Sequence, residues 1–278
     1  MLISVIVPTC NRNDLLSKCL DLLSPNGQSI DIEYELIVTD DGKGSQAKIL
    51  IEEKYNWAKW VKGPQKGPAA NRNNGAKNAT GEWLIFIDDD VLPDGNLLQH
   101  YQTAIQQHPD CLAFEGAIIP DDWALMKNEM AECPINTEGN CFWSANICIQ
   151  KQLFTRIGGF DELFLIAAQE DQDIFIRLTK HTVIPFLKDC VVTHPVRYGS
   201  ISKKLKGIKI QFANWIYYTQ KHSPMSIRKH LLESVWDYVK IAIKDILKLR
   251  LRYFFLDVIK CFYCLYLFFT YKKISPDS

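Results

Sequence analysis

Three consecutive carboxylates, Asp88, Asp89 and Asp90, follow directly on an apolar run at residues 83–87. Like charges on neighbouring residues repel one another at the end of a strand. A hard divalent cation relieves that repulsion because it binds carboxylate oxygens. The alternative is a solvated turn in which Asp94 caps the next helix. These residues alone leave both interpretations open, a metal site and an acidic turn.

A second acidic group stands in the stretch "AAQEDQDIFIRLTKH", residues 167–181. Its apolar residues have helical spacing, which places Glu170 and Asp171 in the first turn of a helix. Carboxylates at that position also favour the helix dipole by about 0.3–1 kcal/mol, so a purely structural role is the alternative. Asp173 is expected to pair with Arg177, one turn further along the helix.

Polar side chains also follow two earlier apolar runs. Thr9 and Asn11 come at the end of "ISVIVPT", and Asp40 and Asp41 come at the end of "YELIVTDD". Ligands of parallel sheets bind at the carboxyl ends of the strands. We therefore expect these residues to lie at one edge of a sheet, together with residues 88–90.

The elements that position these residues alternate over the first 110 residues. "ISVIVPT" precedes "DLLSKCLDLL", for example, and "WLIFIDDD" precedes "NLLQHYQTAIQQH". Such alternation predicts an α/β fold with a Rossmann-like, mostly parallel sheet flanked by helices. Between about residues 111 and 200 the pattern changes to "CLAFEGAIIP" and "CFWSANICIQ". This change predicts an antiparallel or mixed addition on the far side of a cleft.

The chain has 278 residues, 47% of them hydrophobic, and a formal net charge of +0, which excludes a disordered protein. Residues 1–200 hold about 17 Lys and Arg against about 27 Asp and Glu, whereas residues 201–278 hold about 15 against about 5. We therefore predict a domain over residues 1–200 and a basic, aromatic-rich helical extension over residues 201–278. Nine scattered cysteines and the absence of a signal-peptide pattern predict a cytoplasmic protein.

The extension ends in "LRLRYFFLDVIKCFYCLYLFFTYKK". Its uninterrupted apolar stretch, residues 261–271, is about eleven residues, short of the ~20 that a spanning helix needs. Arg250, Arg252, Lys272 and Lys273 flank it, which predicts a helix lying in the interface of an anionic membrane, with no nucleic-acid partner. The alternative is a helix that packs on the domain of residues 1–200 or on a second copy of the chain in a homo-oligomer.

Five ordered motifs resemble those of the family 2 glycosyltransferases, which have the GT-A fold: "VIVPTCNR", "IVTDDG", "GPAANRNNGAKNATGEWLIFIDDD", "GGFDE" and "QEDQDIFIRL". The resemblance covers about residues 3–195 and leaves the extension outside it. It implies a nucleotide-sugar half at about residues 1–110 and an acceptor half at about residues 111–200. Lys43 after "DDG" and Gln169 before "ED" depart from the usual family residues.

The resemblance implies that a nucleotide-sugar donor lies across the first four strand ends. Pro8 and Thr9 would border its base and ribose, with Asn11 nearby. Asp40 would accept a hydrogen bond from the base, with Asp41 close by. A tight turn at residues 40–42 is the alternative, since Asp and Gly are favoured in turns.

For the diphosphate, the resemblance implies a cation and a basic residue. Asp88 and Asp90 match the two ends of the family's D-x-D motif, where Mn²⁺ or Mg²⁺ would bridge the phosphates. Arg72 matches the basic residue near the diphosphate, because its planar guanidinium suits phosphate oxygens. His194 matches a position at which some GT-A enzymes have another metal or phosphate ligand. Structural roles for Arg72 and for a single histidine are the alternatives.

On the acceptor side, the resemblance implies that Asp171 is the catalytic base of an inverting reaction and that Glu170 orients the acceptor or its loop. Asn146 matches a position that lines the sugar pocket, and Trp143 would stack on a sugar ring. The predicted function is metal-dependent transfer of a sugar, from a UDP-linked donor, to a glycan or lipid-linked acceptor in cell-surface polysaccharide or glycolipid synthesis. A nucleotidyltransferase and a catalytically inactive, membrane-binding relative are the alternatives.

Overall fold

The structure, a computed structural model, describes residues 1–29, 33–44, 46–128, 131–164, 166–248 and 250–271. The chain divides into two compact units, Met1–Tyr198 and Gly199–Ser278. The division falls close to residue 200, where the charge balance of the sequence changes.

The strands of the first unit form an eight-stranded sheet and a separate two-stranded pair. The larger sheet contains β1 (Ile3–Thr9), β2 (Tyr34–Asp40), β3 (Lys59–Lys62), β4 (Trp83–Ile87), β5 (Leu92–Pro93), β6 (Ala113–Pro120), β8 (Asn146–Gln150) and β9 (Phe186–His194). The pair consists of β7 (Ala131–Glu132) and β10 (Arg197–Tyr198), which run antiparallel.

The helices of the first unit connect these strands. They are α1 (Asn13–Leu23), α2 (Gln46–Lys54), α3 (Pro68–Asn78), α4 (Leu97–Gln107), α5 (Lys151–Arg156) and α6 (Glu170–Leu178), and a short 3₁₀ helix covers Leu125–Lys127. The predicted alternation of strands and helices over the first 110 residues is confirmed.

The strand order of the larger sheet is β3-β2-β1-β4-β8-β6-β9-β5. β1 runs parallel to β2 and β4, and β2 runs parallel to β3. β8 is antiparallel to both β4 and β6, whereas β9 is parallel to β6. The predicted mixed addition after residue 110 is therefore confirmed. Because β1, β2 and β4 are parallel, their carboxyl ends meet at one edge of the sheet.

Strand β4 is buried on both faces of the sheet. Successive side chains of a strand point to opposite faces. Ile85 therefore packs into a core with helices α1 and α4, and Phe86 packs into a second core with α5 and α6. All five side chains of β4 are buried. Burial on both sides fixes the position at which β4 ends, and hence the position of the carboxylates that follow it.

Helix α3 lies close against the sheet because Gly75 has no side chain. A Cβ atom on Gly75 would lie 2.4 Å from Cγ2 of Ile6 on β1, so no other residue fits without displacement. The helix begins after Gly67, whose φ of 100° favours glycine, and has Pro68 in its first turn. This packing presents the first turns of α3, including Asn71 and Arg72, to the edge at which β1, β2 and β4 end.

The second unit consists of α7 (Ile201–His222), α8 (Ile227–Leu247) and α9 (Leu251–Thr270). These helices share a small core that includes Phe212, Leu231 and Leu256. Helix α8 begins at the N-cap Ser226, whose side chain accepts a hydrogen bond from the Lys229 backbone N–H.

Helix α9 is longer than the apolar run of eleven residues on which the sequence expectation rested. Its segment Tyr253–Thr270 has a mean hydropathy of 1.5 and satisfies the length and composition of a membrane-crossing helix, with 17% of the segment buried inside the protein. This segment includes two charged residues, Asp257 and Lys260, which pair with each other at 2.9 Å. Lys272, Lys273 and the side chain of Arg252 lie outside the described residues.

Candidate active site

A cavity of about 380 Å³ opens at the edge where β1, β2 and β4 end. We call it the strand-end cavity. Residues at the ends of these three strands and at the start of α3 line it; they include Pro8, Thr9, Asp41, Arg72, Asp88 and Asp90. The sequence prediction that polar residues gather at this edge is confirmed for Thr9, Asp41, Asp88 and Asp90.

The acidic triplet is surrounded by hydrogen-bond donors. Asp89 is fully buried and accepts a hydrogen bond of 2.6 Å from the Thr9 hydroxyl. Arg12 lies 2.7 Å from Oδ1 of Asp89 and 2.8 Å from Oδ2 of Asp90. Arg197 also donates to Oδ2 of Asp90. Burial raises the pKa of Asp89 to about 7, although the charge of Arg12 acts in the opposite direction.

Asp90 and His194 form the part of this cavity that fits a cation. Nε2 of His194 lies 3.6 Å from Oδ1 of Asp90, and within the described residues this buried oxygen has no hydrogen-bond partner. Nδ1 of His194 lies 2.9 Å from the Pro195 carbonyl, which can only accept. In the neutral ring Nδ1 therefore carries the proton and Nε2 keeps a lone pair. Two electron-rich atoms thus face each other, as the ligands of a cation do.

The remaining ligands of such a cation would come from elsewhere. In the part of the chain that the structure describes, no three His, Cys, Asp or Glu side chains cluster as a metal site does. Mg²⁺ commonly takes one or two carboxylates and completes its shell with substrate phosphates and water. Asp88 lines the same cavity, but its Oδ1 accepts a hydrogen bond of 2.8 Å from Arg72. The residues present thus fit a cation that is held jointly with a diphosphate.

A second cavity of about 290 Å³ adjoins the first. We call it the α6 cavity, since the start of α6 lines it with Gln169, Glu170, Asp171 and Gln172, opposite Trp143 and Ser144. Arg72, Asp88 and Ala167 line both cavities. A molecule in one cavity and a molecule in the other would therefore meet at Arg72 and Asp88.

Arg72 joins the carboxylates of the two cavities. Its guanidinium is only 4% exposed and lies 2.8 Å from Asp88 and 3.3 Å from Glu170. Burial alone would lower the pKa of Arg72, but the charges of Asp88, Asp171 and Glu170 outweigh burial and raise it. Arg72 is therefore charged at any physiological pH and is positioned to meet an anion.

Glu170 is buried, with 2% of its surface exposed, whereas Asp171 is partly buried. Burial, followed by the charge of Asp171, raises the pKa of Glu170 to about 8, and Arg72 opposes this shift. Burial also raises the pKa of Asp171, which Arg72 and Ser144 oppose. A carboxylate with a raised pKa is a stronger base than one in water. Oδ1 of Asp171 has no hydrogen-bond partner within the described residues and remains able to accept a proton.

Comparison with known families decides the identity of this fold. Residues 4–163 match the model "Glycosyl transferase family 2", and residues 117–216 match "Glycosyltransferase like family 2". The chain belongs to glycosyltransferase family 2. It is therefore a glycosyltransferase with the GT-A fold, as the sequence motifs predicted.

Two curated relatives illustrate the range of matches. An uncharacterized glycosyltransferase of Haemophilus influenzae is 24% identical over 245 residues, which cover 84% of this chain and 78% of the relative. The GalNAc(5)-diNAcBac-PP-undecaprenol beta-1,3-glucosyltransferase of Campylobacter jejuni is 35% identical over 94 residues, which cover 32% of this chain and 29% of the relative. With the Campylobacter enzyme, therefore, the chain shares less than a third of that protein's length.

Two solved structures share the fold. The Staphylococcus aureus TarS fragment 1-349 in complex with UDP-GlcNAc superposes with a TM-score of 0.59 at 19% identity, over 87% of this chain and 66% of TarS 1-349. The Pyrobaculum calidifontis mannosyltransferase PcManGT, in complex with GDP-Man and Mn2+, superposes with a TM-score of 0.59 at 15% identity, over 98% and 88% of the two chains.

One predicted site residue of the glycosyltransferase is placed elsewhere. Asn146 was expected to line the sugar pocket, but it is fully buried at the start of β8. Its amide donates to the carbonyls of Ala117 and Cys190 and accepts from the Tyr101 hydroxyl. The prediction for Asn146 is wrong because side chains of a strand alternate: Ala145 lines the α6 cavity, and Asn146 points into the core.

Asn11 and Asp40 stand beside the strand-end cavity rather than among the residues that line it. Asp40 is 2% exposed and accepts hydrogen bonds from the Gly42 backbone and from the indole of Trp60. Asn11 is exposed, with a φ of 53°. Their roles toward a base stay predictions. Asp173 pairs with Arg177 at 2.6 Å, so its predicted structural role is confirmed.

Sequence reasoning missed three residues of the strand-end cavity. Arg12 and Arg197 pair with the acidic triplet, and Asn71 donates hydrogen bonds to the backbone carbonyls of Thr39 and Thr9. Asn71 therefore ties the ends of β1 and β2 together. Arg12 lies inside the quoted motif "VIVPTCNR", and Arg197 stands three residues after His194. The position of each arginine, Arg12 inside a motif and Arg197 close to His194, was the signal that could have identified it.

Proposed function

We propose that the protein is a metal-dependent, inverting glycosyltransferase that transfers a sugar from a UDP-linked donor to a glycan or lipid-linked acceptor in cell-surface polymer synthesis. The supporting observation is that the strand-end and α6 cavities share Arg72 and Asp88. One cavity carries the residues that suit a diphosphate, and the other carries the carboxylate of Asp171, which suits a base. A donor and an acceptor need this arrangement when the reaction is a single displacement.

The names of the relatives support the choice of donor and acceptor. TarS was crystallised with UDP and with UDP-GlcNAc, and the Staphylococcus aureus protein is named as a poly(ribitol-phosphate) beta-N-acetylglucosaminyltransferase. The Campylobacter relative acts on a sugar linked through diphosphate to undecaprenol. Both acceptors are large and carry phosphate groups, which agrees with an α6 cavity that opens beside arginine.

On the donor side, the residues would act mainly by charge. Arg12, Arg72 and Arg197 bring three guanidinium groups to a cavity that also holds Asp88 and Asp90. Asp90 and His194 would hold Mn²⁺ or Mg²⁺, with Asp88 close by, and the bound cation would act as a Lewis acid on the diphosphate leaving group. Arg72 would stabilise the charge that develops on this group, because it is buried and permanently ionised.

On the acceptor side, Asp171 would take the proton of the attacking hydroxyl. Its free Oδ1 and its raised pKa suit a general base. Glu170, whose pKa is raised by burial and by the charge of Asp171, would orient the acceptor or its loop. We expect Trp143, which is partly buried at the wall of the α6 cavity, to support a sugar ring through its face.

The second unit would attach the enzyme to the inner face of the cell membrane. Helix α9 exposes an apolar stripe of Leu251, Phe255, Ile259, Phe262, Tyr266 and Phe269, spaced three or four residues apart. Helix α8 exposes Trp236 and Leu247 at 67% and 79%. Exposed apolar side chains at this spacing, with basic residues nearby, suit a lipid interface.

The test compares donor binding and product formation. UDP binding is measured by calorimetry with Mn²⁺ and with EDTA, for the wild-type protein and for Asp90→Ala. We expect binding to require the cation and to weaken strongly in the variant, because the diphosphate would face uncompensated carboxylates. Equal affinity in Mn²⁺ and EDTA would remove the metal from the proposal. The anomeric configuration of the product, read by NMR, checks the inverting course.

A further inference from the structure

A buried carboxylate outside both cavities has no role in the reaction described so far. Glu115 on β6 is 2% exposed, and within the described residues it forms no salt bridge with Lys, Arg or His. Instead it accepts hydrogen bonds of 2.8 Å from the backbone N–H groups of Asn140 and Cys141, and another from the N–H of Phe142. Three successive amides of one loop therefore converge on one carboxylate.

The loop that Glu115 holds has an unfavourable backbone. Gly139, Asn140 and Phe142 have φ values of 85°, 66° and 48°. For residues other than glycine, this left-handed conformation is unfavourable, because the Cβ atom approaches the following carbonyl oxygen. Charge-assisted hydrogen bonds are stronger than neutral ones and can offset that cost. The side chain of Asn136 is a second anchor. Its Nδ2 donates a hydrogen bond to Glu115, and its Oδ1 accepts one from the backbone N–H of Gly139.

The same loop leads directly into the α6 cavity. Trp143 and Ser144, which follow Phe142 in the chain, line that cavity together with Asp171. The Cys141 carbonyl accepts a hydrogen bond of 2.6 Å from Nε2 of Gln172, the residue after Asp171. The conformation that Glu115 imposes on the loop thus fixes one wall of the α6 cavity and its distance from α6.

We propose that Glu115 is a positioning residue for the acceptor. It acts through the loop of residues 139–144, and it holds Trp143 and Ser144 where an acceptor sugar meets Asp171. The proposal rests on the assignment of the α6 cavity to the acceptor. The residues of the strand-end cavity form no described hydrogen bond or ion pair with this loop, so we expect the affinity for the donor to be unchanged when Glu115 is replaced.

The test uses Glu115→Gln in the whole chain of 278 residues. The substitution keeps the size of the side chain but removes its charge. It also places the NH₂ group of Gln, a hydrogen-bond donor, against the backbone N–H donors of residues 140–142. UDP-GlcNAc is the donor, p-nitrophenyl N-acetylglucosaminide is the acceptor probe, and hydrolysis of the donor by water is measured in parallel. We expect the ratio of transfer to hydrolysis to fall between about tenfold and about 10²-fold, as for a misplaced binding group. The Kd of UDP should stay unchanged.

A matched control separates positioning from general destabilisation. Glu35 is another carboxylate that accepts from loop amides, those of Thr80 and Gly81, but at the end of the sheet where β4 begins. Glu35→Gln should lower stability without changing the ratio of transfer to hydrolysis. Hydrogen exchange should accelerate at residues 140–142 in Glu115→Gln and at residues 80–81 in Glu35→Gln.

The milder variant Asn136→Ser keeps the inference testable if Glu115→Gln does not fold. Asn136 anchors the same loop without lining the α6 cavity, so the ratio should shift in the same direction by a smaller factor. Faster exchange at residues 140–142 with an unchanged ratio would overturn the positioning role. Absence of both transfer and hydrolysis in the wild-type protein, over a panel of donors and acceptors, would instead overturn the proposed function.

Discussion

Replacing Glu170 by Gln should change how the stability of the protein depends on pH. Burial raises the pKa of Glu170 to about 8 in the folded state, from an ordinary value of 4.5. The folded protein therefore binds a proton that the unfolded chain has released. Stability is fully present below about pH 4.5 and is lost as the pH rises toward about 8. The slope can reach about 1.4 kcal/mol per pH unit for one proton.

The assay is urea-induced unfolding at a series of pH values between about 5 and about 9. We expect the free energy of unfolding of the wild-type protein to fall with pH in this window. Gln cannot titrate, so in Glu170→Gln the free energy of unfolding should fall less steeply with pH, by up to about 1.4 kcal/mol per pH unit. The control Glu53→Gln, at an exposed position, should leave this slope unchanged. Equal slopes for wild type and Glu170→Gln would refute the reasoning. They would mean that Arg72, 3.3 Å away, keeps Glu170 ionised throughout.

Three further outcomes are expected. Asp171→Asn should lower turnover, measured by steady-state kinetics, by a factor on the order of 10²–10⁴. The Kd of UDP, measured by calorimetry, should stay unchanged. Near-normal turnover would mean that another residue is the base. Gln169→Gly should raise the Tm. Gln169 has a φ of 69°, and glycine removes the cost of about 1 kcal/mol that another residue has in this left-handed conformation. A lower Tm in thermal denaturation would show that the contacts of the Gln169 side chain outweigh the backbone strain. Removal of residues 250–278 should abolish sedimentation of the protein with anionic liposomes. Phe262→Glu, in the exposed stripe of α9, should weaken this sedimentation, and UDP binding should persist in both variants. Sedimentation that neither change affects would refute the membrane role.

The sequence predicted well those features that depend on local periodicity. The continuous apolar run of β4 and the helical spacing of α6 are both visible in short windows, so the carboxylates at residues 88–90 and 170–171 could be placed at the correct ends of their elements. The family motifs added the order of these elements along the chain. Fold class and the edge of the sheet that carries the site followed from these two sources.

Long-range pairings could not be predicted in the same way. Arg197 meets Asp90 from a position 107 residues away, and Glu115 meets its loop amides about 25 residues away. No local pattern distinguishes these residues from ordinary surface Arg or Glu. The error at Asn146 has a related cause, since a motif match does not reveal which of two neighbouring side chains in a strand faces the cavity.

The antiparallel pairing of β4 with β8 has a consequence for engineering acceptor specificity. Five pairs in register, from Trp83 with Gln150 to Ile87 with Asn146, join the half of the sheet that carries Asp88 to the half that carries the Glu115 loop. A chimera that takes residues 111–198 from a relative must therefore reproduce this ladder and its alternation. If the register shifts by one residue, Asn146 and Ala145 exchange faces, and the transplanted acceptor wall turns away from the donor.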